Sequence, residues 1–366
     1  MKNLRCVLFA FVGVLALFWL ITGMLLLVVW GRSRTGVENT QAYTPIPPPI
    51  SLAETPAATL SAVEVAEMPQ PTVTLPPSQT LTLTETPTPT EMTLPTEMPG
   101  PVVITSLRFA VIGDFGTAGP DLQSVADMII GWNVDFIITT GDNNYPDGAA
   151  ATIDENIGQY FHSFIYPYLG DFGAGADINR FYPSLGNHDC NTNLCQPYLD
   201  YFTLPGNERY YDFAWGPVHF FSVNSDSREP DGVGRSTVQG QWFKAALAAS
   251  TEPWKVVYTH YSPYSSGYNG STDWIQWPFA EWGASVVLSG HDHDYERLMV
   301  DGIPYFVNGL GGGEFYPFIS RHPASQERHD DEYGAMLVEA TAEQMTFWFY
   351  AVPDKLIDSY TISKGR

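Results

Sequence analysis

The sequence FAVIGDFG (109–116) joins an apolar run to a turn that ends in a carboxylate, and four later stretches repeat this design. They are IITTGDNNY (137–145), YPSLGNHD (182–189), VVYTHYSP (256–263) and VVLSGHDHDYER (286–297). Each apolar run predicts a buried strand, and the glycines mark sharp turns. Metal-binding side chains therefore follow the strands, at the ends where open α/β sheets bind ligands. The pattern predicts a single site.

The rest of residues 101–366 fits a sheet-forming domain with helices between the early strands. Predicted strands lie near 107–113, 135–140, 181–185, 218–223, 255–260 and 285–289, with helices near 120–132, 152–166 and 237–249. Later strands, near 303–308, 333–341, 344–352 and 356–362, are predicted to be antiparallel.

The candidate ligands at the strand ends are two Asp, one Asn, three His and one Tyr. They are Asp114, Asp142, Tyr145, Asn187, His260, His291 and His293. This mixture suits two adjacent cations held by oxygen and imidazole. A carboxylate can bridge cations about 3.5–4 Å apart, and Asp142 is the predicted bridge. An Asp in a Gly-Asp turn can also be a plain turn residue, but its occurrence together with the histidine blocks favours a ligand.

The five blocks, in this order over roughly residues 107–350, resemble the calcineurin-like metallophosphoesterases. Tyr145, three residues after Asp142, resembles the tartrate-resistant type of purple acid phosphatase within that superfamily. The resemblance implies an α/β (α+β) fold, a four-layer sandwich of two mixed β-sheets flanked by helices. It also implies an acid phosphatase that hydrolyses phosphate monoesters, with a metal-bound hydroxide as nucleophile at a dinuclear centre.

The resemblance further assigns roles to individual residues. It places Asp114, Tyr145 and His293 on iron(III), and Asn187, His260 and His291 on a second metal, which is iron(II), zinc or manganese. His188 would contact the substrate phosphate or stabilise the transition state. Asp189 would orient the His188 imidazole, although a role as a turn-forming residue is the alternative. His162, His219, His322 and His329 belong to no motif and are expected to be structural or surface residues.

One position departs from the family pattern. Family members commonly carry another histidine nine or ten residues after the equivalent of His260, where this chain has Asn269 and Gly270. Asn269 is therefore a candidate substrate-binding residue. Proton donation to a poor leaving group would need a substitute such as Tyr268, Asn269 or His188.

The first hundred residues predict an anchor and a stalk. Residues 6–30 are 25 residues without a charge, enough at about 1.5 Å per residue to cross a hydrocarbon core of about 30 Å. A cleaved signal peptide is the alternative, although its apolar region is usually only about 7–15 residues long. Residues 31–100, rich in Thr and Pro, are expected to form a disordered stalk or a simple spacer. A short segment, 1–5, precedes the anchor, and the catalytic domain spans 101–366.

The linker and the cysteines suggest that the catalytic domain is membrane-anchored and extracytoplasmic. Cys190 and Cys195 flank NTNL directly after the His-Asp dipeptide. In an exported protein a disulfide here would clip the loop that carries Asn187 and His188. Two free thiols are the alternative, and too few cysteines remain for a CxxC-type metal site.

Charge restricts the partners. Residues 101–366 carry 13 Lys and Arg against 33 Asp and Glu, a formal charge of −20. A nucleic-acid partner is not expected, because phosphate chains are bound by basic surfaces. A small phosphorylated substrate is compatible, because bound metals concentrate positive charge locally. The alternatives to a monoesterase are a phosphodiesterase or nucleotidase with the same ligands, or a stalked surface-binding protein with weak activity. The sequence does not predict the oligomeric state.

Overall fold

The computed structural model describes residues 106–364. The predicted segment 1–5, the anchor 6–30 and the stalk 31–100 lie outside the described residues, as do the first five residues of the predicted catalytic domain. Among residues 106–364, none of the helices has the length and apolar character needed to span a bilayer.

Thirteen strands form two sheets in the described part of the chain. They are β1 (Ser106–Ile112), β2 (Phe136–Thr139), β3 (Phe181–Pro183), β4 (Tyr211–Trp215), β5 (Val218–Val223), β6 (Trp254–Thr259), β7 (Val286–Ser289), β8 (Tyr295–Val300), β9 (Ile303–Asn308), β10 (Ser325–His329), β11 (Gly334–Thr341), β12 (Gln344–Ala351) and β13 (Lys355–Ser363).

Helical segments connect the strands. The α-helices are α1 (Pro120–Gly131), α2 (Gln159–Phe161), α3 (Gln196–Tyr201), α4 (Val238–Ala249) and α5 (Phe279–Trp282). A π-helical turn (Asp154–Gly158) precedes α2, and 3₁₀ turns span His162–Phe164, Asn193–Cys195 and Asp273–Ile275. The helix predicted near 152–166 is therefore three short segments with different hydrogen-bonding patterns.

Both sheets are mixed, which confirms the predicted fold class. The first sheet has the order β13-β12-β11-β1-β2-β3, and the second has the order β10-β8-β9-β7-β6-β5-β4. In the first sheet β1, β2 and β3 are parallel to one another, and in the second sheet β5, β6, β7 and β9 are parallel. The remaining pairs are antiparallel.

Alternation along β1 shows why the sheets stack. Phe109 and Val111 belong to a core shared with Phe220 and Val256 of the second sheet. Ala110 and Ile112 point the other way, toward a core that contains residues of α1. A separate core joins the outer face of the second sheet to α4. Successive side chains of a strand face opposite sides, so a strand that is apolar throughout must be covered on both faces.

Candidate metal centre

The predicted ligands occupy loops at the ends of parallel strands from both sheets. Asp114 follows β1 and Asp142 follows β2, while Asn187 lies four residues beyond β3. From the second sheet, His260 directly follows β6, and His291 and His293 lie between β7 and β8. The structure brings these side chains together with Tyr145 into one cluster.

The backbone at this cluster is unusual. Asp114, Asp142 and His291 have φ angles of 54°, 51° and 70°, in the left-handed region that residues other than glycine rarely adopt. Such conformations persist where surrounding structure holds them, and they concentrate at functional sites. Two glycines allow the close approach, because a Cβ atom at Gly186 would lie 2.1 Å from Asp142 Oδ1, and one at Gly290 would lie 2.3 Å from Asp114 Oδ2.

One group of ligands surrounds the phenol of Tyr145. Its hydroxyl lies 3.0 Å from Nε2 of His293, and the same Nε2 lies 3.5 Å from Oδ1 of Asp114. The other ring nitrogen of His293, Nδ1, donates to the main-chain carbonyl of Glu314. A histidine whose Nδ1 is fixed in this way presents Nε2 to a metal.

A second group surrounds His260, which is fully buried. Its Nδ1 donates to the carbonyl of Thr140 at 2.9 Å, which directs Nε2 into the site. That Nε2 lies 2.9 Å from Oδ1 of Asn187 and 3.2 Å from Nδ1 of His291. Three donors suited to one cation therefore converge here.

Asp142 lies between the two groups. Its Oδ2 accepts a hydrogen bond from the Tyr145 hydroxyl at 3.2 Å and lies 3.4 Å from Nε2 of His260. Ligand atoms of Asp114, Asp142 and His260 all lie within 4.8 Å of one another. The arrangement fits a carboxylate shared between two cations, and the donors match hard or borderline metals.

The carboxylates of the cluster shift the pKa values of the groups around them. Burial raises the pKa of Asp114 well above its ordinary value, and the neighbouring Asp142 raises it further. Burial alone would lower the pKa of His260, but Asp142 and Asp114 together raise it to about 10. Burial, followed by the charges of Asp142 and Asp114, also raises the pKa of the Tyr145 hydroxyl. In the metal-free protein, protons on these groups compensate the negative charge of the carboxylates. Bound cations would neutralise the same charge.

His188 lies at the solvent side of the cluster, with its side chain 35% exposed and Nε2 4.0 Å from Oδ2 of Asp142. Its main-chain N–H donates to Oδ1 of Asp142 at 2.9 Å, and its ring contacts Tyr145 edge-on. The ring nitrogen Nδ1 donates to the carbonyl of Pro146. The imidazole is thus oriented by a backbone carbonyl.

The expected contact between Asp189 and the His188 imidazole is therefore wrong. The buried Asp189 carboxylate accepts hydrogen bonds from the main-chain N–H groups of Asn143, Asn144 and Gly186 and from the Asn143 amide, at 2.8–3.1 Å. Asp189 turns inward and fastens the Asn187 loop to the loop after β2, because those N–H groups would otherwise be buried without acceptors. The alternative reading of Asp189 as a loop-forming residue describes the contacts better.

Asn269 lies beside the cluster, on an exposed loop. Its amide donates to the carbonyl of His291 at 2.9 Å, and its main-chain N–H donates to Oδ1 of Asp292 at 2.6 Å. Asp292, which lies in sequence between the candidate ligands His291 and His293, also accepts from Ser265. Asn269 is thus held at the edge of the site.

Sequence reasoning missed the polar residues that follow β5. Arg228 lies there and donates to the carbonyl of Asn187 at 2.6 Å, and Asp226 holds its guanidinium. The signal was present, because Asn224-Ser225-Asp226 follows an apolar strand just as the ligand blocks do. Two aromatic contacts were also missed: Tyr316 stacks on His293 with ring centroids 4.1 Å apart, and Tyr261 packs against His291.

Cys190 and Cys195 form a disulfide, which confirms the predicted bond. Both cysteines are buried, and the enclosed loop directly follows Asn187, His188 and Asp189. The bond ties the end of this loop to the start of α3.

A cavity of about 360 Å³ opens over the cluster. It is lined by Thr117, Tyr145, His188, His293, Gly312, Gly313, Glu314 and Tyr316. Four of these residues, Gly312, Gly313, Glu314 and Tyr316, belong to the loop between β9 and β10.

Residues 107–295 match the calcineurin-like phosphoesterase family. They make up more than half of the chain. Purple acid phosphatase 17 of Arabidopsis thaliana is 23% identical over 301 residues, covering 71% of this chain and 85% of that protein. Tartrate-resistant acid phosphatase type 5 of Mus musculus is 25% identical over 244 residues, covering 56% of this chain and 72% of that protein.

Two solved structures share the fold. The purple acid phosphatase PPD1 from yellow lupin (Lupinus luteus) seeds aligns with a TM-score of 0.58 at 19% identity, covering 70% of this chain and 54% of that one. GAP50, described as the anchor in the inner membrane complex of Plasmodium, aligns with a TM-score of 0.57 at 15% identity, covering 72% of this chain and 90% of that one. One fold thus serves proteins with different descriptions, so activity must be argued from the site.

Proposed function

The chain belongs to the calcineurin-like phosphoesterase family, and we propose that it is an acid phosphatase that hydrolyses phosphate monoesters at a dinuclear metal centre. The observation that carries this proposal is the position of Asp142 between two groups of ligands, within 3.2 Å of Tyr145 and 3.4 Å of His260. The acid phosphatase relatives support the same reaction class.

The distances support a division of the ligands between two cations. Asp114, Tyr145 and His293 would hold one, Asn187, His260 and His291 the other, and Asp142 would contact both. When bound, two cations supply an activated water and neutralise the phosphoryl oxygens.

The donors support a proposal for the metal identities. We expect iron(III) beside Tyr145, because burial and the neighbouring carboxylates raise the pKa of the phenol, and a highly charged cation would favour the phenolate. The second position, with two imidazoles and an amide oxygen, suits iron(II), zinc or manganese.

His188 is the proposed catalytic residue of this chain. Its imidazole is solvent-accessible and lies near the ligand cluster. Nδ1 donates to the Pro146 carbonyl, so only Nε2 is available to contact a substrate. Nε2 can then contact a substrate phosphate or hold a proton near the leaving group. Asn269, held at the site edge, would contribute to substrate binding through the second N–H of its side-chain amide, which can donate to a phosphate oxygen.

The cavity fits a small substrate. About 360 Å³ is enough for a phosphate and a modest leaving group. A phosphodiesterase or nucleotidase with the same ligands is the alternative enzyme, and a surface-binding protein with weak activity is the alternative outside enzymes.

Metal analysis of the purified full-length chain, together with turnover of matched substrates, tests the proposal. Two metals per chain and faster hydrolysis of a chromogenic phosphate monoester than of its diester counterpart are expected. Faster diester hydrolysis would favour the phosphodiesterase. Metal loading without turnover of either substrate would favour the binding protein.

We also propose that the catalytic domain is extracytoplasmic and anchored by residues 6–30. The disulfide between Cys190 and Cys195 supports this, because such bonds persist in oxidising compartments. Protease added to intact cells should release active domain. Protection that ends only on lysis would reverse the orientation.

A further inference from the structure

Arg228 fastens the loop that carries Asn187. One terminal nitrogen, Nη2, donates to the Asn187 carbonyl at 2.6 Å. The other, Nη1, donates to the Cys190 carbonyl at 3.0 Å and to the Asn191 side chain at 2.8 Å. A single guanidinium thus holds three residues of one short loop.

The guanidinium is itself fixed by Asp226. Nε and Nη2 of Arg228 donate to the two oxygens of this carboxylate, at 2.7 Å and 2.8 Å. Asp226 is almost fully buried, and its main-chain N–H donates to Asn224. A two-pronged pair with one buried partner has little freedom.

We propose that Arg228 is a positioning residue that holds the Asn187 side-chain amide oxygen on the proposed second metal. The main-chain oxygen bound by Arg228 and the side-chain oxygen 2.9 Å from His260 belong to the same residue, so a shift of one moves the other. Asp189 restrains the loop from the β2 side, and Arg228 restrains it from the β5 side. The proposal rests on the proposed metal centre.

Arg228→Lys, Arg228→Met and Arg209→Met test this assignment. Lysine retains the charge but lacks the forked donors, so its effect should be smaller than that of methionine. Arg209 is the matched control, because its Nε donates to both oxygens of Glu229 and its Nη2 donates to Asp231, and neither carboxylate belongs to the Asn187 loop.

Calorimetric titration of zinc into the metal-free full-length chain gives a readout that does not depend on activity. Arg228→Met should weaken the binding step assigned to Asn187 by about tenfold to a hundredfold, the usual effect of removing a residue that supports a ligand. The other step and Arg209→Met should match wild type. Equal affinities in Arg228→Met and wild type, or an equal loss in Arg209→Met, would overturn the assignment. If Arg228→Met does not fold, the lysine variant decides by the same criterion. Wild type that binds no metal would instead refute the proposed function.

A different observation concerns the leaving group. None of the eight residues that line the 360 Å³ cavity is Lys or Arg, whereas Glu314 supplies a carboxylate and Tyr145 and Tyr316 supply aromatic rings. Tyr268 lies against Tyr316, with ring centroids 5.6 Å apart, and extends the aromatic wall outward. Carboxylates and aromatic faces attract cations, and quaternary ammonium groups bind in aromatic cages.

From this we infer that the part of the cavity beside Glu314 and Tyr316 is a leaving-group subsite that prefers phosphate monoesters with a cationic amine. A substrate with further phosphates would meet Glu314 without a Lys or Arg in the cavity lining. The formal charge of −20 over residues 101–366 acts in the same direction. This inference also rests on the proposed phosphatase activity.

Choline phosphate and its uncharged isostere, in which a tert-butyl group replaces trimethylammonium, form a matched pair of substrates. We expect kcat/KM for choline phosphate to exceed that for the isostere by about threefold to tenfold, since the cation meets partly exposed groups. Glu314→Gln should reduce this ratio. Glu343→Gln, an exposed substitution of equal charge change outside the cavity lining, should retain it. A ratio near one in wild type would refute the subsite, and failure to hydrolyse either substrate would refute the phosphatase.

Discussion

The two sheets contribute different chemistry to the same cluster. The loops of the first sheet bring oxygen donors, Asp114, Asp142 and Asn187, whereas those of the second bring the imidazoles of His260 and His291. Asp142 lies close to donors of both proposed metal positions, 3.2 Å from the Tyr145 hydroxyl and 3.4 Å from Nε2 of His260. The site is therefore assembled between the sheets, and its integrity depends on how they stack.

The cluster has two halves, one from the loops of the first sheet and one from the loops of the second. These halves also differ in charge. The first half holds two buried carboxylates, and in the second half His260 can carry a proton, whereas burial lowers the pKa of His291 to about 3. Because Asp142 and Asp114 raise the pKa of His260 to about 10 against the effect of burial, the halves partly neutralise one another when no cation is present. Cations would take over this function from the protons.

Removing the residue between the halves should have the largest effect. Asp142→Asn preserves the shape of the side chain but removes the charge that both proposed metal positions share. We expect loss of at least one metal and a fall in turnover of about a thousandfold or more, because both cations would lose a ligand. Metal content and kcat on a chromogenic monoester measure this. Asp212→Asn, a matched change of a half-exposed carboxylate paired with His219, is the control and should retain both. Wild-type metal content and turnover in Asp142→Asn would contradict the shared position.

His188→Ala should leave the two halves in place and remove a group that acts beside them. The Nδ1–H group of His188 donates to the Pro146 carbonyl, and His188 lies outside the two ligand groups. We expect turnover to fall by about a hundredfold, as for a positioned acid-base or electrostatic group, with metal content unchanged. Loss of a metal together with activity would show that His188 is a ligand. His162→Ala, at a half-buried histidine whose Nδ1 donates to the Ala174 carbonyl, is the control.

Strand order along the chain was predictable to a large extent, but the geometry of the ligand loops was not. Runs such as FAVI and VVLS form β1 and β7 because uninterrupted apolar runs can be covered only as buried strands. Sequence reasoning missed β4, β8 and β10. β8 begins at Tyr295, directly after the last ligand block, and its mixed polarity gave no alternation to read.

The candidate ligands could be predicted from the sequence because each follows a strand. The contacts that hold them in place could not, because they join residues far apart in sequence. Asp189 and Arg228 show the limit. Asp189 turns toward Asn143 because buried N–H groups there need an acceptor, and Arg228 reaches Asn187 across 41 residues of sequence. The left-handed backbone of Asp114 and Asp142 likewise depends on neighbours that no local pattern reveals.

Metal binding should become tighter as pH rises, by about tenfold per pH unit for each proton released. Below its raised pKa of about 10, His260 holds a proton in the metal-free protein, and a cation must displace it. The slope should therefore persist between about pH 7 and 9, where a histidine with an ordinary pKa would already be neutral. Calorimetry in buffers of different ionisation enthalpy measures the protons released. A metal affinity that does not change with pH over this range would show that the metal displaces no proton from His260.

The smallest expected effect on turnover comes from a substitution that alters only one of the two proposed metal positions. Tyr145→Phe removes one phenol oxygen from the position that includes His293 and leaves Asp142 and the Asn187 group intact. If Tyr145 binds iron(III) as a phenolate, the oxidised wild-type protein has a broad visible absorption band and the variant lacks it. Turnover should fall less than in Asp142→Asn, because only one position loses a ligand. Tyr160→Phe is a suitable control: its buried hydroxyl accepts from the Gly119 N–H, outside the ligand groups. An iron-loaded, oxidised wild type without colour would remove the iron(III)-phenolate proposal and leave a two-metal phosphoesterase of another composition.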